Sequence, residues 1–541
     1  MDFLVSSPLL LFLLSIPFVT FTYRVIIYPA FISPLRKIPP AHWTVPFSPL
    51  WILIVRLQGR ENRVLHLAHQ KLGRFVRVGP NELSVNDAGA VRTIYQGGFE
   101  KTAWYSIFDN YGVPCMFSTV PVKEHSLRKR MISNVYSKSY IQSSQAAKAQ
   151  AAAILHGRLL PILEDSTAKG REPHGIDIHS LFLAAAMDLI TAYIFGLRHS
   201  TDFLRKQGYR EHWLQLYKAR ANYPFWRQEL PRFTELTSRL GLNLYPSWVD
   251  DCNRELGQWN QKLCITVLAS GVIGEETKPA DEPVVTKAML AGLDKEAQTN
   301  GDKSILYPTA LQHHDLSVAS ELFDHILAGQ ETAGITLTYL VWELSRDQAL
   351  QKKLQSELQT LDPGLGKRRD EAGQWTAGTT DDGAIPDLKA LDSLELLHAV
   401  LMETLRLHAA IPGPQPRQVP YPSCRIGPYE VPGGTRVSAL AHTLHREQAA
   451  FPEPEVWDHK RWLGADEETR KVMNRQFWAF GSGGRMCIGS NFAMNEMKLI
   501  TAAIYSNYTT HIVDDAGIEQ DDGYIAGPKS GRLWIRLEPL V

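Results

Sequence analysis

Apolar residues along this chain recur mostly at three- and four-residue intervals, the period of a helix that buries one face. The pattern predicts helices over Ala146 to Leu163, Ile178 to Phe195, Leu316 to Ser345 and Leu388 to Leu407. Strand signals are few and short: Phe75 to Val78 before a Gly-Pro turn, Gly434 to Val437, and Leu533 to Leu537. The expected fold class is mainly α with small β-sheets. Two polar stretches, Gly274 to Pro283 and Asp362 to Asp387, read as exposed connections between helices.

The N-terminus departs from this amphipathic pattern. Phe3 to Tyr23 carries no charged side chain and is about long enough to cross a bilayer as a helix. Asp2 is acidic and no small-residue cleavage site follows, which favours an anchor over a cleaved signal peptide. Arg24, Arg36 and Lys37 follow the run, so the positive-inside tendency puts the downstream chain on the cytosolic side. The run from Pro34 to Pro40 is rich in proline, whose fixed φ and missing amide hydrogen end a helix and stiffen the exit. The expected organisation is a membrane anchor over residues 1–28, a proline-rich hinge over 29–42, and one domain over 43–541.

Composition narrows the partners. In 541 residues, 57 Lys and Arg balance 57 Asp and Glu, so no basic surplus points to nucleic acid. Cys115, Cys252, Cys264, Cys424 and Cys487 are scattered, odd in number and without a paired zinc spacing. That suits a reducing compartment better than a disulfide framework. Four of them read as small apolar side chains.

Cys487 is different. It sits in FGSGGRMCIG, Phe480 to Gly489, where Gly481, Gly483 and Gly484 permit a tight turn close to a flat cofactor and Gly489 opens a helix. Amides at that helix start are expected to stabilise a negative sulfur. Such a thiolate on an iron porphyrin favours O–O cleavage. Arg485 suits a haem propionate, and Phe480 suits packing beside the sulfur. In the long helical stretch, Ala328-Gly329-Gln330-Glu331-Thr332 sets an acid beside a hydroxyl. Ala328 and Gly329 are expected to let the helix lie close over a ligand, with a local widening of its hydrogen-bond ladder making room for dioxygen. Glu403 and Arg406 stand three apart on one helical face.

The loop resembles the haem-binding signature of the cytochrome P-450 family at Phe480, Gly483, Arg485, Cys487 and Gly489. The order of segments, from the Glu331-Thr332 helix through Glu403 and Arg406 to Arg461 and the cysteine loop, is also that family's order. The overall pattern looks most like its fungal microsomal members. The resemblance implies a P-450 fold behind one transmembrane helix, with haem held by Cys487 and Thr332 and Glu331 assisting protonation. It implies a structural network of Glu403, Arg406 and Arg461, although His459 and Lys460 stand where Pro and Glu normally precede that arginine. Further cofactor contacts would come from Phe480, Gly481, Gly483, Arg485, Arg417, His125, Lys129 and Arg130. A solvated basic face is the competing reading for Arg128 to Arg130. The substrate pocket would draw on Trp104, Phe108, Phe323, Leu327, Ala328, Ile411 and Ile525, a lining suited to a hydrophobic substrate.

The implied reaction is insertion of one atom of O2 into a C–H or C=C bond, in fungal secondary metabolism such as terpenoid or polyketide biosynthesis. With no dinucleotide-binding G-x-G-x-x-G after a strand, electrons would come from a separate NADPH-dependent flavoprotein reductase. The implied location is the endoplasmic reticulum membrane, single-pass. Two other readings keep the haem-thiolate site. One is an isomerase or dehydratase needing no reductase, against which Glu331-Thr332 argues; the other is a non-enzymatic haem sensor.

Overall fold

The computed structural model describes residues 8–167, 175–221, 223–271, 277–366, 368–369, 375–376 and 385–540. Parts of both polar connections, and the first residues of the apolar N-terminal run, therefore lie outside the described residues.

At the N-terminus, α1 (Pro8–Thr22) continues as a wider helical stretch through Tyr23–Ile32. The window Ser15–Ile32 has a mean hydropathy of 1.3 and is only 6% buried, as suits a helix able to span a membrane. Helical structure thus runs past residue 28 into the expected hinge. The stop comes at Ser33, whose hydroxyl accepts the Leu35 amide at 3.2 Å and opens a short turn, Pro34–Lys37. Leu35 and Ile38 are buried, and Arg77 donates from Nη1 to the Pro29 carbonyl at 3.0 Å. The end of the apolar helix is fastened to the body.

The body is mainly helical, and its centre is a pair of helices. Among those that position the site are α2 (Val122–Ile132), α3 (Ile178–Phe195), α4 (Gln207–Ala221), α5 (Trp248–Ala269), α6 (His314–Ser345), α7 (Glu395–Leu407) and α8 (Ser490–Tyr505). α3 is as apolar as a membrane span, yet it is a core helix, packed along α6 and almost wholly buried. Glycines allow that closeness: a Cβ on Gly329 would come within 2.9 Å of Ile190, and one on Gly334 within 2.6 Å of Leu183. Both leucine and isoleucine belong to α3, so Gly329 serves helix packing rather than the approach of a ligand expected from the sequence.

The strands form small sheets at the edges. The largest has the order β1 (Phe75–Gly79), β2 (Glu82–Val85), β10 (Arg436–Ser438), β7 (Arg417–Gln418), β3 (Glu100–Lys101). Its β7–β3 pairing sets Arg417 against Lys101. A second sheet joins β11 (Tyr508–Asp514), β12 (Trp534–Pro539) and β4 (Ile176–Asp177). Two hairpins complete the set, β5 (Arg368–Arg369) with β6 (Trp375–Thr376) and β8 (Ser423–Ile426) with β9 (Tyr429–Pro432).

Candidate active site

Glycines and a backbone bond shape the cysteine loop. Gly481 and Gly483 adopt φ of 68° and 73°, the left-handed region that favours glycine, and a Cβ on Gly483 would collide with the Tyr95 carbonyl. The Cys487 amide donates to the Phe480 carbonyl at 2.9 Å, closing the loop, and α8 begins three residues later. Lys129 on α2 clamps the loop, donating to the Gly484 and Met486 carbonyls at 2.9 and 3.0 Å. Protein surrounds Cys487 on every side, yet its side chain is accessible, so it borders an interior space. Burial raises its thiol above the usual range, against the Gly489 and Ser490 amides and the Lys129 charge that lower it. The amides at the helix start thus favour the negative sulfur, as expected from sequence, while burial opposes it.

A second apparatus holds the loop from behind. Arg406 grips Glu403 through two bonds of 2.9 and 2.7 Å, both side chains fully buried. Arg461 adds Nε to Glu403 Oε1 at 3.0 Å, so His459 and Lys460 do not keep it from the carboxylate. Trp462 donates its indole hydrogen to the other oxygen at 2.9 Å. His445 then bridges to the loop: it accepts the Trp478 amide at Nε2 at 2.7 Å and donates from Nδ1 to the Arg406 carbonyl at 2.7 Å. Burial first, and then the neighbouring arginines, push its pKa down to about 3, so the imidazole stays neutral.

Beside the cysteine loop lies a group of cations. Arg485 donates to the Thr119 and Val120 carbonyls at 2.6 Å each, and Arg417 to the Tyr105 hydroxyl at 2.9 Å. Lys101 lies 4.0 Å from the Tyr105 ring centre, and burial lowers its pKa strongly, helped by Arg417 and Arg485. The same positive field, added to burial, pushes His125 down to about 2. Among the described residues no carboxylate forms an ion pair with Lys101, Arg417 or Arg485. Arg130, exposed on α2, stands apart from this group, and Arg128 is neither solvated nor in it, for it bonds Ser317 at 3.2 Å and Thr309 at 3.1 Å.

Across the space runs α6. Ala328 is exposed although its helix is otherwise sunk in the core. α6 is α-helical throughout, so no widened turn marks this point; instead the Thr332 hydroxyl donates to the Ala328 carbonyl at 2.8 Å. Glu331 accepts a hydrogen bond from Tyr217 on α4 at 2.5 Å. Burial lifts the Glu331 pKa to about 7, against the lowering effects of Tyr217, Arg220 and Lys218.

The donor set fits an iron porphyrin. A side chain added at Gly481, Gly484 or Gly489 would meet no atom within 4 Å, so the loop offers a flat open face beside an accessible thiol. Arg417 and Arg485, without carboxylate partners among the described residues, suit two propionates in sign. The family model for cytochrome P450 matches residues 44–531, most of the chain. The chain belongs to the cytochrome P450 family.

This P450 is similar along nearly its whole length to fungal relatives. The cytochrome P450 monooxygenase hkm5 of Aspergillus hancockii is 25% identical, covering 92% of this chain and 90% of its own. The N-acetyltryptophan 6-hydroxylase ivoC of Emericella nidulans is 26% identical, covering 91% and 88%. The cytochrome P450 monooxygenase avaI of Aspergillus versicolor is 28% identical, covering 80% and 94%. Family membership makes the protein a haem-dependent oxidoreductase of the monooxygenase class.

Around the P450 site, Trp104 is buried with its indole hydrogen on Glu229 at 2.8 Å, and its ring meets Tyr105 and Tyr524. Phe108 packs on Phe117 with centres 5.1 Å apart. Phe323 is buried beneath Tyr111, while Leu327, Ile411 and Ile525 are half-buried. The segments bearing the last two are joined by Ala526 N to Ala410 O at 3.0 Å. Sequence reasoning missed Lys101, Tyr217, Arg220 and His445. None lies in a motif: the pairing of β3 with β7 brings in Lys101, the packing of α4 brings in Tyr217 and Arg220, and bonds to Arg406 and Trp478 bring in His445.

Proposed function

We propose that this P450 is a membrane-anchored monooxygenase that inserts one atom of O2 into a hydrophobic small molecule, by hydroxylation or epoxidation, in fungal secondary metabolism. The observation that carries this reading is the accessible Cys487, within the field of Asp324 of α6 and beside Lys101, Arg417 and Arg485, which lack carboxylate partners among the described residues.

In this reading Cys487 would ligate the iron, and Arg417, Arg485, His125 and Lys101 would hold the propionates. Phe480 packs near the sulfur, while Gly481 and Gly483 set the loop and Lys129 keeps it closed. Bound haem supplies dioxygen activation, with thiolate electron density favouring O–O cleavage. The protein's own part is to move protons and exclude water. Glu331, poised near neutrality, holds a proton at its carboxyl and exchanges it with the Tyr217 hydroxyl. Thr332 spends its hydrogen on the Ala328 carbonyl, leaving its oxygen free to accept. One oxygen atom enters the substrate and the other leaves as water, with electrons drawn from NADPH through a separate flavoprotein reductase. Trp104, Phe108, Phe323, Leu327, Ala328, Ile411 and Ile525 would face the substrate.

The apolar N-terminal helix supports residence in the endoplasmic reticulum membrane with the body, beginning near residue 43, on the cytosolic side. The test is the carbon monoxide difference spectrum of the dithionite-reduced protein in membranes. The expected result is a strongly red-shifted Soret band, absent in Cys487→Ala; a histidine-like band, or an unchanged spectrum in the variant, would overturn the assignment.

A further inference from the structure

A pocket of about 420 Å³ opens beside the site, between the segment around Tyr111, α4, α5 and Phe323 of α6. Its wall is not apolar: Arg220, Arg227 and Arg254 all reach it, with Asp109 and Asp250. Most of these charges already have partners. Arg227 lies 3.7 Å from Asp250, and Arg254 2.9 Å from Asp251. Asp109 is held by Ser118 and the charge of Arg128.

Arg220 is the exception. Its guanidinium carbon lies 5.3 Å from the centre of the Phe323 ring, and the side chain is half-buried, reaching the pocket wall. Among the described residues no carboxylate makes an ion pair or hydrogen bond with it; Asp324, Glu331 and Tyr217 act on it only through their fields. A guanidinium keeps its charge even when partly desolvated, and one with no carboxylate in direct contact has hydrogen-bond donors left to offer. An anion entering the pocket would take up those donors and find a planar fork that matches a carboxylate.

The position ties this pocket to the reaction. Arg220 follows Tyr217 by one turn of α4, and Tyr217 bonds Glu331. Phe323 precedes Ala328 by five residues of α6, about 7.5 Å along the axis. We infer that the substrate carries a carboxylate held by Arg220, and that its apolar body runs past Phe323 to present the oxidised carbon near Ala328. This rests on the monooxygenase reading and narrows its substrate class to apolar acids.

The experiment is equilibrium dialysis of the full-length haem protein in lipid nanodiscs, with empty discs subtracted. The probes are phenylalkanoic acids of increasing chain length, their methyl esters and the matching amines. At the best length the acid should bind at least about tenfold more tightly than its ester. Arg220→Gln should erase that preference while leaving ester affinity within about twofold, and Arg220→Lys should restore part of it. Acid and ester binding equally at every length, a preference for the amine that would favour Asp324 as partner, or an acid preference surviving in Arg220→Gln would each overturn the inference. A carbon monoxide spectrum on the same preparations separates the two levels. A thiolate band with no acid preference sinks only this inference, whereas a missing band unseats the monooxygenase reading whatever dialysis gives.

Discussion

Tyr217 and Glu331 meet across two helices, the tyrosine hydroxyl donating to the carboxylate at 2.5 Å. The acid beside Thr332 is therefore tied to α4 and not only to its own helix.

This contact sets a pH dependence. Burial raises the Glu331 pKa to about 7, so the carboxyl is protonated below neutrality and charged above it. Product formed per NADPH consumed should fall as pH rises through about 7. Tyr217 lowers the Glu331 pKa by bonding its charged form, so Tyr217→Phe should move this limb upward, and Glu331→Gln should abolish it. A limb unchanged in Glu331→Gln would assign the titration elsewhere.

Glu403 and Arg406 are both fully buried, so removing one partner strands a charge. Glu403→Ala should cost about 3–5 kcal/mol, read by denaturant unfolding, and should release haem. A loss under about 1 kcal/mol would mean that the tryptophan and backbone partners suffice.

Gly334→Ala should destabilise by about 1–3 kcal/mol, because the new Cβ would fall 2.6 Å from Leu183 on α3. Pairing it with Leu183→Ala should recover part of the loss. Thermal unfolding of single and double variants measures the coupling, and strict additivity would show that the clash relaxes elsewhere.

Lys129 holds two carbonyls of the cysteine loop. Lys129→Met should broaden and weaken the carbon monoxide band through a loosened loop, with little change in fold by circular dichroism. An unaltered band would show that the φ-restricted glycines close the loop unaided.

Periodicity made much of the fold legible. The run Ile178 to Phe195 is a helix with those ends, and Leu316 to Ser345 differs by one short extension. Leu388 to Leu407 is instead broken at Ser393 and Leu394, where Glu357, from a distant helix, accepts the amides of Leu396 and Leu397 at 2.7 and 2.8 Å. No local signal reveals a cap supplied from so far away. Gly329 was misread for the same reason, since its purpose lies in Ile190. Cys487, Glu403 and Arg406 were visible because their chemistry is local. Tyr217 and Lys101 were not, because their partners are joined only by the fold.

On the membrane-anchored reading proposed above, the bond from Arg77 to the Pro29 carbonyl changes how this protein would be found by another in the same bilayer. A body hung on a slack tether would tumble above the lipid, and a partner would have to wait for the correct side to turn up. Fastened at the mouth of its anchor, the body keeps one attitude and is left chiefly with lateral drift and spin about the bilayer normal. The encounter becomes a search on a plane with a single angle to match.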